Sequence, residues 1–235
     1  MGLSINMSQN FRKLALVVGL FASIQTCSAT VATTTLTKDG RNASPAPNTN
    51  FGSETFMYVL PAGGGSNIQR SLMGFTTPNN TGTITNVKLF LYLTTKGTQD
   101  ASTNYNLHEI TQSGWTEAGF TWNKYDGTNN WTTAGGDYSA TIVDAISEPP
   151  TTATWYTWEI YGGGADNPVT VNWNTSYNFI LKGAAETTGN TDSYRDFASR
   201  STTATSTRPY IEITYTESAP SSPKSGALSK FFRRR

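Results

Sequence analysis

The 235-residue chain contains one cysteine and one histidine, Cys27 and His108. One thiol excludes an internal disulfide framework. A single histidine beside it also excludes a zinc centre built from the usual nitrogen and sulfur ligands. Charge is scarce: 14% of the residues are charged, against roughly 25% in an average soluble domain. Glu, Lys, Leu and Ala, the residues a helical bundle needs, give way to Thr, Asn, Ser and Gly. Long apolar runs are missing too. The longest, at residues 14–24, is about eleven residues and too short to span a bilayer.

That short run sits in a pattern of its own. Arg12 and Lys13 precede it, and Cys27-Ser-Ala29 follows with the small residues a signal peptidase needs. Residues 1–29 therefore read as a signal peptide cleaved after Ala29 or Ala32, with Met7 as an alternative start. Anchoring as a lipoprotein at Cys27 is the minor alternative, because Ile24-Gln25-Thr26 is a poor lipobox. An uncleaved anchor is another. The reading makes the protein secreted or extracellular, associated with a cell surface or free.

The net charge of +1 conceals an asymmetry. The leader holds Arg12 and Lys13, and the tail after Glu217 holds Lys224, Lys230, Arg233, Arg234 and Arg235. All sixteen acids lie between, against ten of the seventeen basic residues, so the body carries about −6. A negative body excludes nucleic acid as its ligand, since phosphate binding needs a basic surface. The Pro/Ser-rich segment 218–235, with its basic end, reads as a disordered tail.

What the body does contain is hydrophobic residues (36%), aromatics (12%) and short strands broken by turn residues. Residues 84–95 are the clearest: Val87, Leu89, Leu91 and Leu93 alternate with Lys88, Phe90, Tyr92 and Thr94. That strand reads as central, covered on one side and half covered on the other. Further strands are expected at 31–38, 55–60, 70–75, 105–110, 141–143, 155–161, 196–199 and 208–216, and as a hairpin of 169–173 and 177–182. Asp39-Gly40 would end the first strand, and 42–52 would be a loop. Elements at about ten-residue intervals without a convincing helix predict an all-β fold: a jelly-roll-like antiparallel β-sandwich of about ten strands over residues 30–217.

One stretch stands apart. Residues 113–138 hold Trp115, Phe120, Trp122, Tyr125, Trp131 and Tyr138 among Gly, Asn, Asp and Thr. Such a loop either is pinned to a core by its aromatics or presents them to a ligand. Sugar rings offer apolar faces that stack on Trp and Tyr, while their hydroxyls need amides and carboxylates. Trp131 and Tyr125 beside Asn123 and Asp126 suit that chemistry, whereas Trp115 and Trp122 are expected to pin the loop. Trp155, Trp158 and Trp173 are expected in core or edge packing. Arg70 and Arg200 would either fork a uronic acid carboxylate or pair internally with Asp196, Glu159 or Glu212. Asp126, Asn129 and Asp137 offer oxygen ligands for a structural calcium, without the spacing of an EF-hand; the same residues also make ordinary turns.

The motif Trp115-Thr-Glu117, Thr121-Trp122-Asn123, Tyr125-Asp-Gly, Trp131 and Gly-Gly-Asp137-Tyr138 resembles the middle of a DNRLRE domain, a family also described as carbohydrate-binding module family 96. The resemblance extends over most of 33–216. It includes the Asn-Phe51-Gly52 turn, Arg70-Ser-Leu-Met-Gly-Phe75, and Ser199-Arg200-Ser201 followed by Arg208-Pro-Tyr210-Ile-Glu-Ile. Gly74 stands where the family usually has a second Arg, and Ser201 where it has Glu. The resemblance implies a jelly-roll-like sandwich, secretion and glycan binding.

Catalysis gains little. His108 lies on a strand, and no Gly-x-Ser-x-Gly elbow is present. The sequence reads as a non-catalytic domain that binds a polysaccharide or cell-surface glycan. The alternative is a structural surface, matrix or virion protein that assembles, for example as homo-oligomers by strand addition.

Overall fold

Alternating apolar residues become paired strands throughout the body. The computed structural model describes residues 28–61, 67–98, 103–162, 168–186 and 192–217. Residues 1–27, most of the expected signal peptide, and the expected disordered tail at 218–235 lie outside them. Ten strands form among the described residues: β1 (Ala29–Ala43), β2 (Phe56–Val59), β3 (Gln69–Thr76), β4 (Thr83–Lys96), β5 (Tyr105–Ile110), β6 (Tyr138–Ile146), β7 (Thr154–Tyr161), β8 (Ser176–Gly183), β9 (Arg195–Ala198) and β10 (Tyr210–Thr216). All their pairings are antiparallel.

β1 belongs to two sheets. Ala29 to Thr35 pairs with β10, and Leu36 to Ala43 pairs with β3, with a register shift between Leu36 and Lys38. A shift of this kind bends a strand and re-aims it, which lets one strand turn the corner of a sandwich. Sheet A contains β2, β9, β4, β10, the first half of β1, and β7; sheet B contains the second half of β1, β3, β8, β5 and β6. β4 is central in sheet A, as its alternation predicts: Leu89 pairs with Ile211 on one edge and Trp158 on the other.

The main core lies between the sheets. Sheet A contributes Val87, Leu89, Leu91, Leu93, Trp158, Phe197, Ile211 and Ile213, and sheet B contributes Met73, Phe75, Tyr105, Leu107, Phe179 and Leu181. All are buried. At about 25 cal/mol per Å² of apolar surface removed from water, this layer is the dominant stabilising term, in keeping with a chain that has no disulfide.

Three expectations about elements are corrected. β1 does not end at Asp39-Gly40; it runs through to Ala43 and takes in the start of the expected 42–52 loop. Gly40 sits in mid-strand with φ +154, and a Cβ there would come within 2.9 Å of both Gly52 Cα and Phe120 Cζ. The glycine is there for close approach, not as a stop. Residues 169–173 form no strand. Their polar groups find side-chain partners instead: Asn172 N–H donates to Tyr177 Oη, and Thr77 Oγ1 donates to the Asn172 carbonyl. The short strand expected at 141–143 extends to Tyr138–Ile146, so Tyr138 opens β6 rather than closing a loop.

Candidate functional site

The aromatic loop lies on the outer face of sheet B. Because side chains alternate along a strand, Leu72 of β3 and Ile180 of β8 point away from the main core. They form a second cluster with Ile110, Trp115, Phe120 and Trp131, and Tyr125 and Tyr138 pack against it. Trp115 donates from Nε1 to Asn178 Oδ1 (3.0 Å) and meets Phe120 edge-on. The loop's own ladder holds it closed: Thr116 N–H donates to the Tyr125 carbonyl, Tyr125 N–H to Asn129, and Trp131 N–H to Asn123.

This arrangement corrects the reading of Trp131. It is 5% exposed and donates from Nε1 to the Thr121 carbonyl (3.0 Å). Both its ring and its polar atom are committed to the fold, which leaves no face for a sugar to stack on. Tyr125 is half-buried, with its ring centroid 5.8 Å from that of Trp131. Asn123 donates from Nδ2 to Asn48 Oδ1 and ties the loop to the 44–50 connection. The expected pinning role of Trp115 matches its burial. Trp122 is half-buried against Arg70, whose guanidinium carbon lies 4.9 Å from the indole centroid.

Neither arginine presents a free fork. Arg70 donates from Nε and Nη2 to the two carboxylate oxygens of Glu186 (2.8 and 2.7 Å), and Lys182 lies 3.5 Å from the same carboxylate. Arg70 Nη1 has no hydrogen-bond partner and lies among the rings of Trp122 and Tyr138, where a cation finds compensation in the ring quadrupole. Arg200 donates from Nε to Glu117 Oε1 (2.8 Å) and from Nη2 to Glu117 Oε2, while its N–H donates to Asp39 Oδ2. Both are internal pairs, but with Glu186 and Glu117 rather than with Asp196, Glu159 or Glu212. The true partners sit in connections, which an alternation pattern does not align.

Burial pushes the Asp39 carboxyl up to about 7, and burial does the same for Asp196. At Gly74 a Cβ would lie 2.9 Å from Lys38 Cε. Lys38 pairs with Gly74 across the ladder, sets its ammonium 4.1 Å from the Trp115 centroid, and donates to the Trp115 carbonyl (2.7 Å). A cation thus occupies that space from the neighbouring strand.

Two of the three expected calcium ligands, Asp126 and Asn129, are joined by their own hydrogen bond. Asp126 accepts from Thr128 N–H, Asn129 N–H and Asn129 Nδ2, hydrogen bonds that lower its pKa. Asp137 accepts from the N–H groups of Thr132 and Thr133. Each carboxylate closes its own turn. No group of three or more His, Cys, Asp or Glu residues suited to a metal occurs among the described residues. His108 turns Nδ1 toward the Ser139 and Thr141 carbonyls (2.9 and 3.1 Å), and burial lowers its pKa. The neutral ring with Nδ1–H is thereby a structural donor.

The outer face of sheet A is the opposite case. Phe90 and Tyr92 of β4, Trp155 of β7 and Tyr210 of β10 all point outward, and each keeps part of its ring in solvent. Phe90 stacks on Tyr210 (4.6 Å, 3° between planes). Trp155 stands at 74° to both Tyr92 and Tyr210, with centroids 5.2 Å away. β7 and β10 flank β4, so their backbones lie roughly 9–10 Å apart. The 5.2 Å contact means that Trp155 and Tyr210 lean toward each other across β4. In the adjoining row Lys88 lies between Glu159 and Glu212 in the register, and Thr33 and Thr35 of β1 continue the face beside Glu212 and Tyr210. An aromatic surface rimmed by hydroxyls and charges suits a sugar chain. Sequence reading passed over this surface. Its signal was present in Phe90 and Tyr92 on the polar side of the β4 alternation, but only strand order brings Trp155 and Tyr210 beside them.

No helix among the described residues is long and apolar enough to cross a membrane. No curated protein matches the sequence. Among solved structures, the K1 cleaved adhesin domain of Lys-gingipain from Porphyromonas gingivalis W83 is similar over 78% of this chain and 97% of its own, at 14% identity and a TM-score of 0.30. Residues 30–215, nearly the whole described sandwich, match the pattern of one family, and the chain belongs to carbohydrate-binding module family 96.

Proposed function

We propose that the protein is a secreted, non-catalytic module that binds polysaccharide on the outer face of sheet A. The observation that carries this reading is the four-ring surface of Phe90, Tyr92, Trp155 and Tyr210, with Trp155 reaching over β4 at its centre. Stacking on Trp155 and Tyr210 supplies the apolar contact. Lys88, Glu159, Glu212 and Thr157 lie within the same rows to meet hydroxyls. Secretion rests on the leader pattern in residues 1–29. Family membership supports a carbohydrate ligand, and His108, engaged by main-chain carbonyls, supports a non-catalytic role.

The test is affinity electrophoresis of the protein through gels cast with alginate, pectin, xylan, β-glucan or peptidoglycan fragments. At least one polymer is expected to retard it. Trp155→Ala should weaken that retardation about tenfold, or about 1.4 kcal/mol, with an unchanged circular dichroism spectrum. Undiminished retardation of the folded variant would remove the outer face of sheet A from the site.

A further inference from the structure

A second surface lies on the opposite side of the sandwich. An open groove of about 630 Å³ is lined by Thr111, Gln112, Thr132, Thr133, Asp137 and Tyr138, with Gly136 and Ala140 completing it. Its volume falls in the range of ordinary small-ligand sites, roughly 300–1,000 Å³. One wall is a fixed turn: Asp137 accepts the N–H groups of Thr132 and Thr133, and Gly135 and Gly136 hold left-handed φ values of +91° and +118°. The other feature is Tyr138, half-buried and set beside His108 with ring centroids 5.1 Å apart. The Arg70 guanidinium lies 5.4 Å and the Lys182 ammonium 5.8 Å from its ring centroid, both anchored by Glu186. The ring is therefore held rigidly while the groove beside it presents hydroxyls, an amide and a carboxylate. That is again the chemistry of sugar recognition: one aromatic surface and several fixed polar partners.

Position gives the groove its consequence. His108, Lys182 and Arg70, which pack on Tyr138, belong to the outward rows of sheet B, alternating with the inward Leu107, Leu181 and Ser71. Trp155 and its neighbours belong to the outward rows of sheet A. Packed sheets are about 10 Å apart, so both sheets stand between the two surfaces. A stiff chain lying on one face cannot bend round to the other. We propose that the groove at Tyr138 is a second carbohydrate site, and that one molecule thereby bridges two polysaccharide chains. The inference rests on the reading of sheet A as the first site.

The experiment uses the full chain with whichever gel-tested polymer retards it most. Bridging is read as turbidity and as the storage modulus of the polymer solution, and the protein's own mass is read by sedimentation. The main variants compared are Trp155→Ala, Gln112→Ala/Thr133→Ala, and these three substitutions together. The groove pair leaves the main-chain N–H bonds to Asp137 in place, and Tyr138→Phe serves as a second, gentler groove variant. The wild type is expected to be monomeric and to raise the modulus at least several-fold. Each single-site variant should still be retarded in gels but lose the rise in modulus, and the combined variant should run as in a polymer-free gel.

A groove variant that raises the modulus as the wild type does overturns the proposal. So does a Trp155→Ala variant with no residual retardation, because the groove then has no affinity of its own. Bridging that tracks a wild-type dimer, and is lost only when the dimer is lost, also overturns it. If the wild type is retarded by none of the polymers, the glycan-binding reading itself falls, and the bridge with it.

Discussion

The two outer faces of this sandwich are both rich in aromatic rings, and they treat them in opposite ways. On sheet B the outward rows include Gly40 and Gly74, and most of the rings come from the loop: Phe120 descends onto Gly40, and Lys38 fills the space over Gly74 beneath Trp115. On sheet A the outward rows hold their own rings, and Phe90, Tyr92, Trp155 and Tyr210 lie against one another and stay partly in solvent. Glycines in a strand mark a place where another segment comes down and covers the sheet. Aromatics paired across strands fill their own surface and leave it available. An aromatic-rich loop is thus the less promising place to look for stacking, because a loop without regular structure needs its rings to hold itself down.

The sharpest way to break the comparison is to truncate one ring on each face. Trp131→Ala or Phe120→Ala should cost about 3–5 kcal/mol, as for other buried aromatics, read as a lower urea midpoint. Because the loop is tied to the sheet mainly by this cluster and by the Arg200–Glu117 and Lys38–Trp115 contacts, accelerated hydrogen exchange across 111–137 should accompany the loss. Equal losses from Trp155→Ala would abolish the distinction between the faces.

Arg70 probes the same covered face from the sheet side. Arg70→Leu leaves Glu186 with Lys182 as its remaining cation in a largely buried setting. Breaking a buried pair on one side costs about 3 kcal/mol or more, though the second cation holds the expected loss near the lower end. Arg70→Leu combined with Glu186→Gln should recover part of it. Gly40→Ala is next. Its methyl group would meet Gly52 and Phe120 at 2.9 Å, an overpacking expected to cost about 1–3 kcal/mol.

Much of this division was legible in the sequence and part of it was not. The strands with clean alternation, above all β4 with Val87, Leu89, Leu91 and Leu93, were readable because a period of two is a local signal. Segment 169–173 misled because Val169 and Val171 alternate and are buried, yet their neighbours' backbone groups are served by Tyr177 and Thr77. The pinning role of Trp115 was readable from its motif. That of Trp131 was not, since a ring flanked by Asn130 and Thr132 looks the same in sequence whether it points in or out. Glu117 and Glu186 as arginine partners, and the Trp155–Tyr210 contact, depend on pairings between distant segments, and no local pattern encodes those.

A gentler probe uses pH, through one buried carboxyl in each sheet. Asp39, buried beneath the loop, and Asp196 on β9 are both pushed up to about 7, first by burial. Their unfolded-state values lie near 4. Between about pH 4 and 7 the folded state therefore binds more protons than the unfolded one, and stability falls as pH rises across that window. Asp39→Asn keeps an oxygen to accept the Arg200 N–H and should flatten the slope of denaturation midpoint against pH. A slope unchanged in both Asp39→Asn and Asp196→Asn would mean that neither carboxyl is held neutral by burial.

The smallest expected effect on stability is on the open face. Trp155 is half-buried, and its ring contacts are with Tyr92 and Tyr210, themselves half-buried. An aromatic pair contributes about 0.5–1.5 kcal/mol beyond burial, so Trp155→Ala should lower stability by about 1–2 kcal/mol, well short of Trp131→Ala. Phe90→Ala should resemble it, since Phe90 stacks on the equally half-buried Tyr210. A residue kept for folding returns its energy in the unbound protein, whereas one kept for a ligand returns it only when the ligand is present. The two faces should therefore separate when the loss in stability is plotted against the loss in polymer affinity for the same variants. Trp131 and Phe120 should fall along the stability axis, and Trp155 and Phe90 along the affinity axis. Points scattered along one common diagonal would mean that binding is lost only through unfolding, and that the outer face of sheet A is ordinary surface.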